Sequence, residues 1–277
     1  MNAIEITGLV KRWPGFDLNL DLTLPQGCIL GLIGENGAGK TTTIKALLGM
    51  TRPDAGQIRL LGEDAAIAPA ALRERIGVVL DEPGYPECLT AVQLGKVMAG
   101  IYQNWDAPAY AGQLQTLSIP ADKPFRDLSR GMKMKLAIAV ALSHRAELLI
   151  LDEPTSGLDP LVRDEVVAMF SEFTRAENHA VLISSHIVSD LEKLCDYIAF
   201  LHKGRLLLIE EKDVLRERYG LAQLSQADYA ALDKGAVLGS RSTPYGVSAI
   251  VRREAVPGLR TEPVSIEDLF VVMAKEA

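Results

Sequence analysis

The amino-acid sequence predicts an α/β fold. Its centre is a parallel sheet flanked by helices. An N-terminal antiparallel β subdomain precedes it, a helical insertion interrupts it and a small C-terminal appendage follows. Three observations predict this. Short apolar runs alternate with amphipathic helical stretches, the pattern that places helices on both faces of a parallel sheet. One early segment alternates strictly between apolar and polar residues, as a sheet with one wet face requires. A glycine-rich loop joins the first buried run to the first helix.

In chain order, Phe16, Leu18, Leu20, Leu22 and Leu24 alternate with Asp17, Asn19, Asp21 and Thr23, which predicts an antiparallel strand. Pro25-Gln26-Gly27 is a turn, and Cys28 to Ile33 reads as a buried parallel strand. Thr41 to Met50 is predicted helical, with Ile44, Leu47 and Leu48 on one face. From about Asp81 to Phe125 the chain reads as mainly helical, with turn signals at Pro83-Gly84, Pro108 and Pro120. This is an insertion between two parts of the core, drawn at about residues 83–145. Leu148 to Leu151 and Val181 to Ile183 are further buried strands. Val162, Val166, Phe170 and Phe173 mark a helix between them, and Ile187 to Cys195 marks another after them. Tyr197 to Leu201, His202-Lys203-Gly204 and Arg205 to Ile209 read as a hairpin. Beyond about Gly220 the patterning weakens, so residues 1–220 are assigned to one domain and 221–277 to a small appendage. Regulation, dimer stabilisation and plain packing are all open to it.

Composition narrows the function. Apolar residues make up 48% and charged residues 23%, ordinary globular usage that supports a sizeable core. A net charge of −7 disfavours a sequence-independent grip on nucleic acid, and no nucleic-acid partner is expected. Cys28, Cys88 and Cys195 lie far apart and form no C-x-x-C pair, which reads as reduced, buried thiols of a cytosolic protein. No stretch approaches the roughly 18 apolar residues of a membrane span, and no secretory signal opens the chain.

The sharpest signal is Gly34-Glu35-Asn36-Gly37-Ala38-Gly39-Lys40-Thr41, which fits G-x-x-x-x-G-K-[ST] between a buried strand and an amphipathic helix. Glycines let backbone N–H groups turn inward on phosphates, and the helix start adds partial positive charge. Lys40 is placed to bridge the β- and γ-phosphates and Thr41 to ligate Mg²⁺. With the adjoining Thr42, these residues are the candidate ATP cradle of a P-loop NTPase core. Two apolar runs end in Asp-Glu-Pro, at Asp81-Glu82-Pro83 and at Asp152-Glu153-Pro154. Ligands of open α/β sheets sit beyond the carboxyl ends of strands, so either acidic pair could face a metal. The local pattern ranks them poorly, though the second follows the stronger strand.

Taken together, the phosphate loop, Leu128-Ser129-Arg130-Gly131-Met132, Leu151-Asp152-Glu153-Pro154, Ser156-Gly157-Leu158-Asp159 and Ser184-Ser185-His186 resemble the nucleotide-binding subunit of an ABC transporter. The resemblance covers roughly residues 3 to 220. It extends to a bacterial group, typically exporters, whose membrane subunits are separate chains. It implies that Asp152 helps hold Mg²⁺, that Glu153 is general base or water-orienting group, and that His186 contacts the γ-phosphate. It implies that Ser129 and the helix start at Gly131 bind the γ-phosphate held by a second copy, and that Asp159 lies at that interface. Trp13 aligns with the aromatic residue that stacks on adenine, with Phe16 as the alternative. The implied assembly is a homodimer or heterodimer of such subunits on integral membrane permease subunits, cytoplasmic and peripheral on the inner face of the cell membrane. The sequence departs from the family pattern where Arg130 replaces the usual second glycine and Met132 the usual glutamine. Asp81 stands where the family has a metal-contacting glutamine and is retained as a metal candidate, with Glu82 as its substitute.

Overall fold

The computed structural model describes residues 1–276. The chain opens with β1 (Asn2–Trp13) and β2 (Phe16–Pro25), an antiparallel pair, then β3 (Ile29–Ile33) and α1 (Lys40–Leu47). The first helix is shorter than the predicted Thr41–Met50, because the Met50 N–H turns back to the Lys45 carbonyl. Next come β4 (Ala55–Leu60), β5 (Glu63–Asp64), α2 (Ala70–Glu74) and β6 (Ile76–Val79). Three helices follow: α3 (Ala91–Ile101), α4 (Ala107–Thr116) and α5 (Arg130–Leu142). The core resumes with β7 (Leu148–Asp152), α6 (Pro160–Phe173), β8 (Ala180–Ser185), α7 (Val188–Leu194), β9 (Tyr197–His202) and β10 (Arg205–Glu211). The C-terminal part holds α8 (Lys212–Arg218), β11 (Tyr219–Leu224), α9 (Gln226–Ala231), β12 (Val237–Thr243), β13 (Gly246–Arg252) and α10 (Ile266–Glu276).

Ten strands form one sheet in the order β5-β4-β1-β2-β10-β9-β3-β8-β7-β6. The stretch β9-β3-β8-β7-β6 is parallel throughout, and β5, β4, β1 and β2 run antiparallel to one another. The fold is thus the α/β architecture that the sequence predicts. Its central strands are continuous apolar runs because both faces are covered. In β7, Leu148 and Ile150 enter one core while Leu149 and Leu151 enter the other, and β3 splits Leu30 and Leu32 from Ile29 and Ile33 in the same way.

The segment Asp81–Phe125 is less helical than the sequence reading had it: α3 and α4 are its α-helices and loops make up the rest. Pro108 does not mark a turn. It sits in the first turn of α4, behind the N-cap Asp106, where a helix leaves N–H groups unpaired and a missing donor costs little. The helices α3, α4 and α5 share a core of their own, built on Leu94, Tyr110, Leu114 and Leu136. On its other side α5 sends Met134, Ala137, Ile138 and Ala141 into the main core, so this helix joins the insertion's core to that of the sheet. His144, just beyond it, is buried, stacks on Tyr102 at 4.1 Å and binds the Glu74 carbonyl through Nδ1 at 3.0 Å. Burial holds its pKa below the ordinary histidine value.

The C-terminal strands form a three-stranded antiparallel sheet, β11-β13-β12. This part is not detached: Leu238, Ile250, Ile266, Leu269 and Phe270 join the main core, with the Phe270 ring 5.3 Å from that of Phe200. The three cysteines are free, as the sequence predicts, but they are not uniformly buried: Cys195 is buried, Cys28 intermediate and Cys88 exposed. Among the described residues no helix is long and apolar enough to cross a membrane.

Candidate active site

The loop between β3 and α1 is shaped by two glycines. At Gly34 an added Cβ would lie 2.5 Å from the Leu201 carbonyl oxygen, so β9 passes too close for any side chain. Gly39 has φ 113°, a backbone that L residues rarely adopt, and a Cβ there would meet Leu18 Cδ1 at 2.9 Å. The loop therefore closes into a cradle at the start of α1. Lys40 is buried, and its Nζ donates to the Gly34 carbonyl at 2.7 Å and to that of Glu35 at 3.4 Å. It also lies 3.4 Å from Glu153 Oε1.

Strand pairing assembles the acidic side of the site. Asp152 at the end of β7 pairs with Ser184 of β8, and Ser185 pairs with Ile33 of β3, just before the loop. Three adjacent parallel strands thus deliver their carboxyl ends to one place, where open α/β sheets bind ligands. Thr41 Oγ1 donates to Asp152 Oδ2 at 2.8 Å, and Ser184 Oγ donates to Asp152 Oδ1 at 2.5 Å. Glu153 has φ 52°, the left-handed region, a strained conformation for a residue with a long side chain. Its N–H is held by the Ser184 carbonyl at 3.1 Å and the Ser184 hydroxyl at 3.2 Å. The carboxylate accepts from the His186 N–H at 3.2 Å and lies 2.7 Å from His186 Nδ1.

Beside them lies a cavity of about 260 Å³ lined by Phe16, Glu35, Asn36, Gly37, Gly39, Lys40, Thr41, Thr42, Asp81 and Glu153, with Asp152 and His186 reaching it only through Thr41 and Glu153. Of the two aromatic candidates, the structure brings Phe16 to this cavity and not Trp13. The Trp13 ring lies 6.2 Å from that of Phe16, with Lys11 Nζ 5.3 Å over it. Similarly Asp81 lines the cavity, while Glu82 faces a neighbouring groove. Asp81 is itself paired with Arg130, 2.9 Å away. Ser129 caps α5, accepting from the Met132 N–H at 3.3 Å, and Asp159 caps α6, accepting from the Val162 N–H at 3.1 Å. Gly131 sits against Leu158, which a Cβ would meet at 3.4 Å. None of Ser129, Gly131 and Asp159 lines the cavity.

Sequence reasoning assigned no role to Ser184, which holds both Asp152 and Glu153. Its position beside His186 at the end of a buried strand was the available signal. It also did not foresee that Glu153 is the counter-ion of Lys40.

The residues fit a nucleotide with a hard cation. Backbone N–H groups at the start of α1 and a buried ammonium suit phosphates, and the Thr41 hydroxyl on the cavity wall is in contact with the buried Asp152 carboxylate behind it. Among the described residues no cluster of three or more His, Cys, Asp or Glu could hold a metal alone.

Comparison with known proteins agrees. The family model described as ABC transporter matches residues 18–156. The bacitracin transport ATP-binding protein BcrA of Bacillus licheniformis is 38% identical over 203 residues, spanning 72% of this chain and 66% of that protein. The ABC transporter ATP-binding protein YtrB of Bacillus subtilis is 29% identical over 284 residues, 97% of each chain. A solved ATP-binding subunit of an ABC transporter superposes with a TM-score of 0.69 at 29% identity, covering 77% of this chain and 92% of that one. The chain belongs to the ABC transporter family, as an ATP-binding subunit that carries the family's ATPase cassette.

Proposed function

We propose that this subunit powers solute export through separately encoded membrane subunits, working as two copies that bind ATP and Mg²⁺ between them on the inner face of the membrane. The observation that carries the reading is the convergence of Lys40, Thr41, Asp152, Glu153 and His186 on one cradle. The likeness to a bacitracin transport subunit supports the coupling to transport. The direction and the separate membrane chains rest on the family resemblance.

The contacts support a role for each residue. The cradle N–H groups and Lys40 bind the phosphates, while Thr41 and Asp152 supply the protein oxygens for Mg²⁺. Mg²⁺ supplies neutralisation of the charge that develops on the phosphates. In the present arrangement Glu153 is the counter-ion of Lys40. A triphosphate takes over Lys40 and leaves the Glu153 carboxylate to accept the proton of the attacking water. His186, bound to that carboxylate through Nδ1, retains Nε2 for the γ-phosphate. Phe16 stacks on the adenine. Ser129 and the α5 start at Gly131 form an anion-binding helix N-terminus outside the chain's own cavity. Two copies related by a two-fold axis would present them to each other's phosphates, with Asp159 at the seam. Docking to the membrane subunits is assigned to the insertion, where α3 exposes Val92, Val97 and Ile101.

Turnover per chain, measured as phosphate release with Mg²⁺, is expected to rise with protein concentration, because each site needs two chains. Turnover per chain that stays constant as the protein is diluted to monomer would contradict the composite site. Copurification with an integral membrane protein, lost on changing Val97 and Ile101 to Asp, tests the transport assignment.

A further inference from the structure

Two departures from the family pattern, Asp81 and Arg130, meet in space. Asp81 Oδ1 accepts from Arg130 Nη2 at 2.9 Å across a sequence separation of 49 residues. Asp81 forms part of two walls: it lines the phosphate cavity, and it lines a groove of about 420 Å³ shared with Tyr85, Phe125, Arg130 and Lys133. Arg130 lies on the groove side alone. Its stem is held over the loop that links Glu153 to Asp159, since a Cβ at Gly157 would lie 3.4 Å from Arg130 Cδ and 3.5 Å from Nε. The guanidinium therefore reaches Asp81 without itself lining the cavity.

Charge explains why this matters. Glu35 and Glu153 already line the cavity, and its buried ammonium, Lys40, is engaged with Glu153. A further unneutralised carboxylate would oppose a triphosphate, by a modest amount because Asp81 is half-exposed and solvent screens it. We infer that Arg130 is a positioning residue that acts through Asp81: it holds the Asp81 carboxylate at the cavity wall and cancels its repulsion of the triphosphate. On this account the two departures are one compensated change. The inference rests on the nucleotide reading of the cavity.

The test is equilibrium binding of a fluorescent ATP analogue in EDTA, which needs neither metal nor turnover. The chains compared are wild type, Arg130→Gln, Arg130→Lys, Asp81→Asn and the Arg130→Gln/Asp81→Asn double variant, each checked for folding by thermal melting. Arg130→Gln is expected to weaken binding about two- to fivefold, the range of a half-exposed ion pair. Arg130→Lys should retain most of the affinity, and raised salt should shrink the Arg130→Gln loss. The double variant should bind like Asp81→Asn, because Arg130 has nothing left to neutralise. A full Arg130→Gln loss that persists in the Asp81→Asn background would overturn the inference and assign Arg130 directly to phosphate. Unchanged binding by Arg130→Gln would overturn it as well. No binding by any chain, wild type included, either in EDTA or with Mg²⁺ restored, would instead bring down the nucleotide reading and this inference with it.

Discussion

Glu153→Gln is expected to lower ATP turnover by about 10²- to 10⁴-fold, the contribution of a positioned general base, while ATP binds no more weakly than to the wild type. The amide keeps the shape and one acceptor of the carboxylate, so the His186 N–H and the strained turn after β7 remain supported. It cannot take the proton of the attacking water. The substitution also removes a negative charge 3.4 Å from Lys40, so the triphosphate no longer competes with Glu153 for that ammonium. Phosphate release and binding of a fluorescent ATP analogue, measured on the same preparation, separate the two effects. Turnover within a few-fold of wild type would remove Glu153 from the proposed role.

Lys40→Ala is expected to act earlier, on binding itself. Lys40 Nζ is buried and its partners are two loop carbonyls and the Glu153 carboxylate. Charge-assisted hydrogen bonds are worth about 1.5–3 kcal/mol each, so the loss of one such contact to a phosphate weakens ATP about 10- to 150-fold. Removal of the ammonium also leaves Glu153 facing the phosphates without its counter-ion, which pushes the loss toward the upper end. The analogue titration used for Glu153→Gln measures this directly. Affinity unchanged by Lys40→Ala would contradict the assignment of the cavity to phosphates.

The parts of the fold that were legible in the sequence are those where local pattern and tertiary environment agree. Leu148 to Leu151 is buried on both faces, and its composition says so. Lys40 and Thr41 stand in a spacing that only a phosphate cradle explains well. β1 was not legible, because its alternation breaks where its pairing register with β2 shifts between Ile6 and Leu9. β4 was not legible either: of its six residues, Ile58 and Leu60 alone are buried, too few to set a period. The C-terminal sheet lies partly on the main core and partly on a small core of its own, so neither face carries a sustained pattern. At the site, motif order placed Asp152, Glu153 and His186, but motifs are silent on contacts between distant segments. The Asp81–Arg130 pair and the Lys40–Glu153 pair exist because the fold brings separate strand ends and a helix start together. Trp13 and Phe16 differ for a similar reason. They are paired opposite each other at the β1–β2 turn, and it is Phe16 that lines the cavity.

If two copies share each ATP site, mixing two different inactive variants restores turnover. The pair to mix is Lys40→Ala chains with Ser129→Arg chains, each inactive alone. A mixed pair would combine an intact cradle from one chain with an intact α5 start from the other. An equal mixture is therefore expected to recover about one quarter of wild-type turnover per chain, since half the pairs are mixed and each holds one complete site. Mixtures that stay inactive at every ratio, with both chains folded and associating, would contradict a shared site.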